Sequence, residues 1–324
     1  MDKLLYGITN KVIESYRLAK NKLRFDGEYI NHFTSLVFRE NENININIDK
    51  IKEIRKYIKA NTSKMSSFRG DILYMLSILI SKQEDYLKFS DRLIYAGEIL
   101  KDNDFKEGAY LALSSYALAK YGVYENYNEI VLYIKDIYKT LKKEYKDFVG
   151  EDDYLVCTLL AIEASEKMSN VNEMGAYIQS VFNYFSDLED YSKNDLQGIA
   201  SSILLNKNVM APYKAKNIIK IFDRNDLKIA DEVLPLIGVV SRGDDAFKYV
   251  KKVKDVIECL CEEEAEYTFY MDKTFRTLLG IFIVEIYEKE NGAFSNKYLE
   301  ELLCFVIYSF IVSKNQGLFE EVLA

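Results

Sequence analysis

The stretch GAYLALSSYALA at residues 108–119 is apolar on every side, rich in small residues, and not alone of its kind. The same texture returns in GDILYMLSILIS at 70–81, DYLVCTLLAIEAS at 153–165, LQGIASSILLN at 196–206 and ADEVLPLIGVVS at 230–241. A helix apolar all round must be covered by neighbours on several sides. Equivalent small residues near the middle of these stretches are Ser77, Ser114, Thr158, Ser201 and Gly238, separated by 37, 44, 43 and 37 residues. A drifting period near 40 is the signature of α-hairpin arrays, in which loops vary and helices do not.

Longer, more charged helices alternate with the apolar ones. DYLKFSDRLIYAGEIL starts at Asp85 and NEIVLYIKDIYKTLKKEY at Asn128; in the second, Ile130, Ile134, Ile137 and Leu141 recur at three and four. That spacing draws one apolar stripe and leaves one wet face. The expected fold is therefore all-α: a right-handed α-hairpin array, tetratricopeptide- or HEAT-like, of about five hairpins plus helical caps. Residues 1–68 read as a basic helical cap of three helices, the last opening at Asp49. Residues 69–324 read as the array, with an atypical helix pair at its carboxyl end, the whole forming one continuous structural unit.

Local signals agree. Asp71, Asp153, Asp195, Asp231 and Asp244 stand near expected helix starts, where carboxylates accept free backbone amides. Pro212 suits a first helical turn, and Pro235 should kink or delay its helix. Two regions compete with a strand reading. NENININI from Asn41 alternates like a strand and is read as a polar loop; the β-branched runs 281–286 and 305–312, with Asn291-Gly292 between them, are read as helices.

Composition sets the outer limits. Among 324 residues only 14 are Gly and 2 are Pro, too few for a turn-rich β fold. The amino-terminal sequence lacks an uninterrupted apolar core of the signal-peptide kind. The longest apolar run, 302–312, falls short of the roughly 20 residues a spanning helix needs. A cytoplasmic location is expected. Cys157, Cys259, Cys261 and Cys304 then read as reduced thiols filling the core.

The net charge is −8, unevenly placed. Residues 1–70 hold 14 Lys and Arg against 8 Asp and Glu, a net of +6, whereas 144–195 hold 12 acids and 3 bases. Residues 255–266 hold six acids and no base. An acidic body repels a phosphate backbone, so nucleic acid is an unfavoured partner and a basic protein or peptide a better one. The basic amino-terminal part has three destinations: nucleic acid, an acidic partner, or the acidic stretches of its own chain.

Catalytic constellations are scarce. His32 is the lone histidine and reads as a partly buried structural residue; a Ser-His-Asp arrangement would rest on it entirely. Glu151-Asp152-Asp153, Asp244-Asp245 and Glu262-Glu263-Glu264 are consecutive carboxylates, which fan out around a helix instead of converging. The last run, near a helix end, calls for a loop or a positively charged partner. There is no P-loop, GxGxxG, HExxH, CxxC or EF-hand loop, and no cofactor or metal is expected.

Ser66-Ser67-Phe68-Arg69, Ser114-Ser115, Phe148 and Gly150 with Asp152-Asp153-Tyr154 ahead of Leu159-Leu160-Ala161, and Leu196-Gln197 before Ser201-Ser202 form a set. On these residues the chain resembles a Firmicutes family of unknown function, the domain-of-unknown-function class numbered four thousand and three. The resemblance implies a bacterial cytoplasmic helical protein and supplies no activity. It nominates Arg69, Asp152, Asp153 and Gln197, at corresponding ends of successive hairpins, as an edge for a partner or ligand, or as caps and inter-hairpin bonds. The leading functional reading is a non-enzymatic protein- or peptide-interaction module using a groove of the array. The alternatives are a small-ligand-binding protein or enzyme with a pocket between helices, and a peptide-sensing regulator with a DNA-binding head in 1–68.

Overall fold

A computed structural model describes residues 1–38, 46–167, 170–240, 245–292 and 296–323. Most of NENININI, Asp244 and the Arg242-Gly243 loop lie outside the described residues. Among those described there are helices and no strand. The helices are α1 (Lys3–Lys22), α2 (Glu28–Val37), α3 (Ile48–Asn61), α4 (Asp71–Ile80), α5 (Tyr86–Asp102), α6 (Ala109–Tyr121), α7 (Tyr127–Glu144) and α8 (Tyr154–Lys167). They continue as α9 (Val171–Phe185), α10 (Lys193–Ser202), α11 (Ala211–Arg224), α12 (Leu234–Val240), α13 (Ala246–Glu263), α14 (Ala265–Phe269), α15 (Lys273–Glu290) and α16 (Leu299–Leu323). The β-branched runs 281–286 and 305–312 fall inside α15 and α16, so both are helical. No helix among the described residues is long and apolar enough to cross a membrane.

The chain divides into two compact units. Unit 1 comprises Met1–Arg24, Asn31–Asn45 and Tyr184–Ala324; unit 2 comprises Phe25–Ile30 and Ile46–Asn183. Residues 1–68 are divided between the two units.

In unit 2 the apolar helices form an inner row and the amphipathic ones an outer row. Inner α6 packs on α4 and α8, outer α5 packs on α3 and α7, and α5 joins α6 as α7 joins α8. Ser77, Ser114 and Thr158 are fully buried in the inner row, as their spacing implied. Arg55 of α3 crosses into this row, donating to Ser77 Oγ at 2.9 Å and forking onto Asp26 at 2.9 and 2.5 Å.

In unit 1, α10 packs on α12, and α11 on α12 and α13. Pro212 sits in the first turn of α11. Pro235 delays its helix as expected: Asp231–Val233 form a 3-10 turn and α12 begins at Leu234. Gly238 is required by proximity, because a Cβ there would stand 2.6 Å from Ser202 Oγ and 3.1 Å from the Ile199 carbonyl.

The basic helix α1 packs on α13 and α15 of its own unit. Leu5, Ile8, Val12, Ile13, Tyr16 and Ala19 are buried there. Its outer side meets the acidic stretch: Arg17 Nε reaches Glu264 at 2.5 Å, Lys20 Nζ reaches Glu266 at 2.5 Å, and the Tyr16 hydroxyl donates to Glu266 at 2.7 Å. Arg17 and Lys20 are about half exposed, so each pair adds at most about 1 kcal/mol; the buried face holds α1 and the charges select where it lands. Glu264 and Glu266, just past the end of α13, therefore find cations within the chain.

His32 lies beneath this contact, more deeply than expected, at 0 % exposure. Its ring stacks on Tyr16 at 3.7 Å, with Tyr267 and Phe275 at 5.5 and 5.7 Å. Among the described residues neither ring nitrogen has a hydrogen-bond partner. Burial, with the Lys20 charge adding, pushes its pKa down to about 3.

The folded state thus refuses a proton that the unfolded chain takes up below pH ~6.5. His32 should cost stability progressively as pH falls from about 6.5, levelling off below about 3. His32→Phe removes both the unpaired nitrogens and the titration. We expect the variant to be at least as stable at pH 7, and its advantage over wild type in urea melts to widen from pH 6.5 to 4. An unchanged difference across that range would contradict this account.

Candidate functional site

The outer helix α5 turns two different faces in two directions. Phe89, Leu93, Ala96 and Leu100 are buried, whereas Lys88, Asp91, Arg92 and Tyr95, spaced at three and four, line one wall of an open groove. Asp85 starts the helix by accepting from the Lys88 amide at 3.0 Å. The opposite wall is the α6–α7 connection, Gly122 to Glu125, and the groove encloses about 730 Å³.

That connection is built tightly. The Gly122 amide donates to the Leu118 carbonyl at 2.9 Å, and a Cβ at 122 would stand 2.7 Å from the same oxygen and 3.1 Å from the Tyr127 ring. Close passage brings Val123 and Tyr124 to the rim, where they are 57 % and 47 % exposed. Tyr95, Tyr124 and Tyr127 form an aromatic cluster with centroids 5.2, 5.3 and 6.2 Å apart. Arg92 crosses its base, with Nη2 at 3.3 Å from the Tyr127 hydroxyl and 3.5 Å from the Gly122 carbonyl.

The groove is electrically mixed. Lys88, Arg92 and Asp91 line the α5 wall, and Glu125 lies on the opposite one. Burial raises the Tyr127 pKa and Arg92 pulls against that rise, so the phenol stays neutral. Tyr57 donates to Asp91 at 2.5 Å, which fixes that carboxylate and raises the phenol's pKa. These groups can hold hydrogen-bonding and apolar partners together. Among the described residues no group of three or more His, Cys, Asp or Glu side chains is placed to hold a metal ion.

The residues nominated from sequence occupy the frame. Arg69 Nη1 donates to Thr62 Oγ1 at 2.8 Å and the Phe68 carbonyl at 2.7 Å, and Nη2 to the Thr62 carbonyl at 2.9 Å, closing the end of α3. Asp153 is buried and accepts from the Gly150 amide at 3.0 Å, opening α8. Asp152 folds back over Gly150, so that a Cβ at 150 would stand 2.5 Å from its Oδ1. Gln197 is buried in unit 1 and donates to Ser201 Oγ at 2.9 Å. The starts of successive inner helices in unit 2 are also tied together: the Gly108 amide donates to Ser67 Oγ at 3.0 Å, and Lys106 pairs with Glu151 at 2.6 Å.

Sequence reasoning missed the groove. Its signal was present in the polar quartet Lys88, Asp91, Arg92, Tyr95 and in YGVYENY at 121–127, a connection with three tyrosines and little turn chemistry. The model of the family described as "Protein of unknown function (DUF4003)" matches residues 15–316. No curated protein and no solved structure matches the chain.

The Gly122 contact yields a direct test. Gly122→Ala should lower stability by about 1–3 kcal/mol in urea titration, because backbone blocks the new methyl. Gly7→Ala, with nothing within 4 Å, should be neutral or mildly stabilising. Equal effects at the two positions would contradict the described wall.

Proposed function

The chain belongs to this family of proteins of unknown function, and from that premise we propose that it is a protein- or peptide-interaction scaffold rather than an enzyme. The observation that carries this reading is the groove lined by Tyr95 and Tyr124, backed by buried Tyr127, with Arg92 at its base. Tyrosine and arginine are the residue types that dominate binding energy at interfaces, and they do so when packed in pockets with a polar rim. An extended segment fits the proportions, with an aromatic or aliphatic side chain between Tyr95 and Tyr124 and polar groups reaching Lys88, Arg92, Asp91 and Glu125.

The alternation of inner α4, α6 and α8 with outer α3, α5 and α7 supports a tetratricopeptide- or HEAT-like array as the frame. In this reading Asp153 and Gln197 hold the frame, while half-buried Arg69 and Asp152 border the helix starts. Unpaired, buried Cys157 and Cys304 agree with a reducing, cytoplasmic setting, which we attach to the proposal.

Tagged full-length protein, incubated in lysate of its own organism at low and moderate salt, should retain a partner near stoichiometry. Tyr95→Ala with Tyr124→Ala should cut that recovery by about tenfold or more while leaving the melting temperature within a few degrees. Recovery unaffected by the double substitution, or no partner at either salt, would overturn the assignment.

A further inference from the structure

Unit 1 exposes a second apolar cluster that its core does not use. Val209, Met210, Tyr213 and Phe247 are 88, 50, 54 and 64 % exposed. Met210, Tyr213 and Phe247 line a groove of about 380 Å³ between the starts of α11 and α13, and Val209 precedes Met210 in the chain. Contiguous exposed apolar residues of this kind mark contact sites. The inner face of α11 is buried separately through Ala215, Ile219 and Phe222, none of which lines the groove.

The charges lining this groove are one-sided in a chain whose net charge is −8. Lys214, Lys220 and Arg224 line it against a single carboxylate, Asp245. Asp245 is engaged at the start of α13, accepting from the Lys248 amide at 3.1 Å and pairing with Lys248 Nζ at 3.4 Å. Lys220 lies 3.5 Å from Asp187, an exposed pair of little strength that a carboxylate in the groove can replace.

We propose that the α11–α13 groove docks an acidic, amphipathic peptide segment of a partner protein, with an apolar side chain between Tyr213 and Phe247 and carboxylates on Lys220 and Arg224. An anionic lipid surface is the competing occupant of a basic, apolar patch. A plane feels every charge within a Debye length, and Asp187 and Asp223 beside these bases oppose it; a narrow segment meets the lining alone. This groove stands apart from the Tyr95 groove in both residues and charge.

The test is a random dodecapeptide display library selected on immobilised full-length protein and counter-selected on Phe247→Asp protein. Enriched peptides are then measured by fluorescence polarisation on wild type, Phe247→Asp and Arg224→Glu. An aspartate in the first turn of a helix is favourable, so Phe247→Asp should keep the fold; thermal melts check both variants. The proposal expects a consensus carrying Asp or Glu with an aromatic or Leu anchor. Binding should weaken by about tenfold or more in both variants and with added salt, and be unchanged in Tyr95→Ala/Tyr124→Ala. No enrichment, a neutral or basic consensus, or equal binding to the variants would overturn it. So would co-sedimentation with phosphatidylserine vesicles that Phe247→Asp abolishes, which would give the groove to a lipid surface.

Discussion

The fold rests on helices that cannot face water. The inner helices α4, α6 and α8 of unit 2, and α12 of unit 1, are apolar around most of their circumference. Their buried surface supplies the main driving force at about 25 cal/mol per Å². Such helices are stable only when covered on several sides at once, so one hairpin obliges the next. Small residues then set how near the backbones come, since each pair of facing helices has room for few large side chains. Gly238 against Ser202 shows the limit, with space for no further atom.

A second constraint is charge, resolved within the chain. A run of carboxylates at a helix end opposes the helix dipole. Glu264 and Glu266 meet Arg17 and Lys20 of α1, and Tyr16 adds a hydrogen bond. Burial works to raise the Glu266 carboxyl, yet the Lys20 and Tyr16 bonds hold it below its ordinary value. The same contact seals His32 into an aromatic box where, among the described residues, its ring nitrogens have no hydrogen-bond partner. Of the three destinations open to the basic amino-terminal part, Arg17 and Lys20 take the one within the chain.

The helices were legible because periodicity and apolar texture are local properties. The apolar stretches at 70–81, 108–119 and 153–165 became inner helices of unit 2, Pro235 delayed its helix, and the β-branched runs at 281–286 and 305–312 followed helical length and context over intrinsic strand preference. The sharing of residues 1–68 between two units was not legible, since it depends on which distant surface α1 meets. The groove was half legible: Lys88, Asp91, Arg92 and Tyr95 share a helical face by spacing, but only folding brings Gly122 and Tyr124 opposite them. Asp153 and Gln197 look functional in sequence because polar residues beside apolar runs attract notice. Both are buried, Asp153 accepting from the Gly150 amide ahead of α8 and Gln197 donating to Ser201 within α10.

The division of labour follows from these constraints. Inner helices carry stability, while outer faces and connections remain at the surface. Amide hydrogen exchange on the full-length protein, read by mass spectrometry, tests that division most directly. Within unit 2, amides of α4, α6 and α8 should exchange slowest, at rates set by global unfolding. The Gly122–Glu125 connection and the first turn of α5 should exchange orders of magnitude faster. Outer helices as protected as the inner ones, or a connection that exchanges only with global unfolding, would contradict the account.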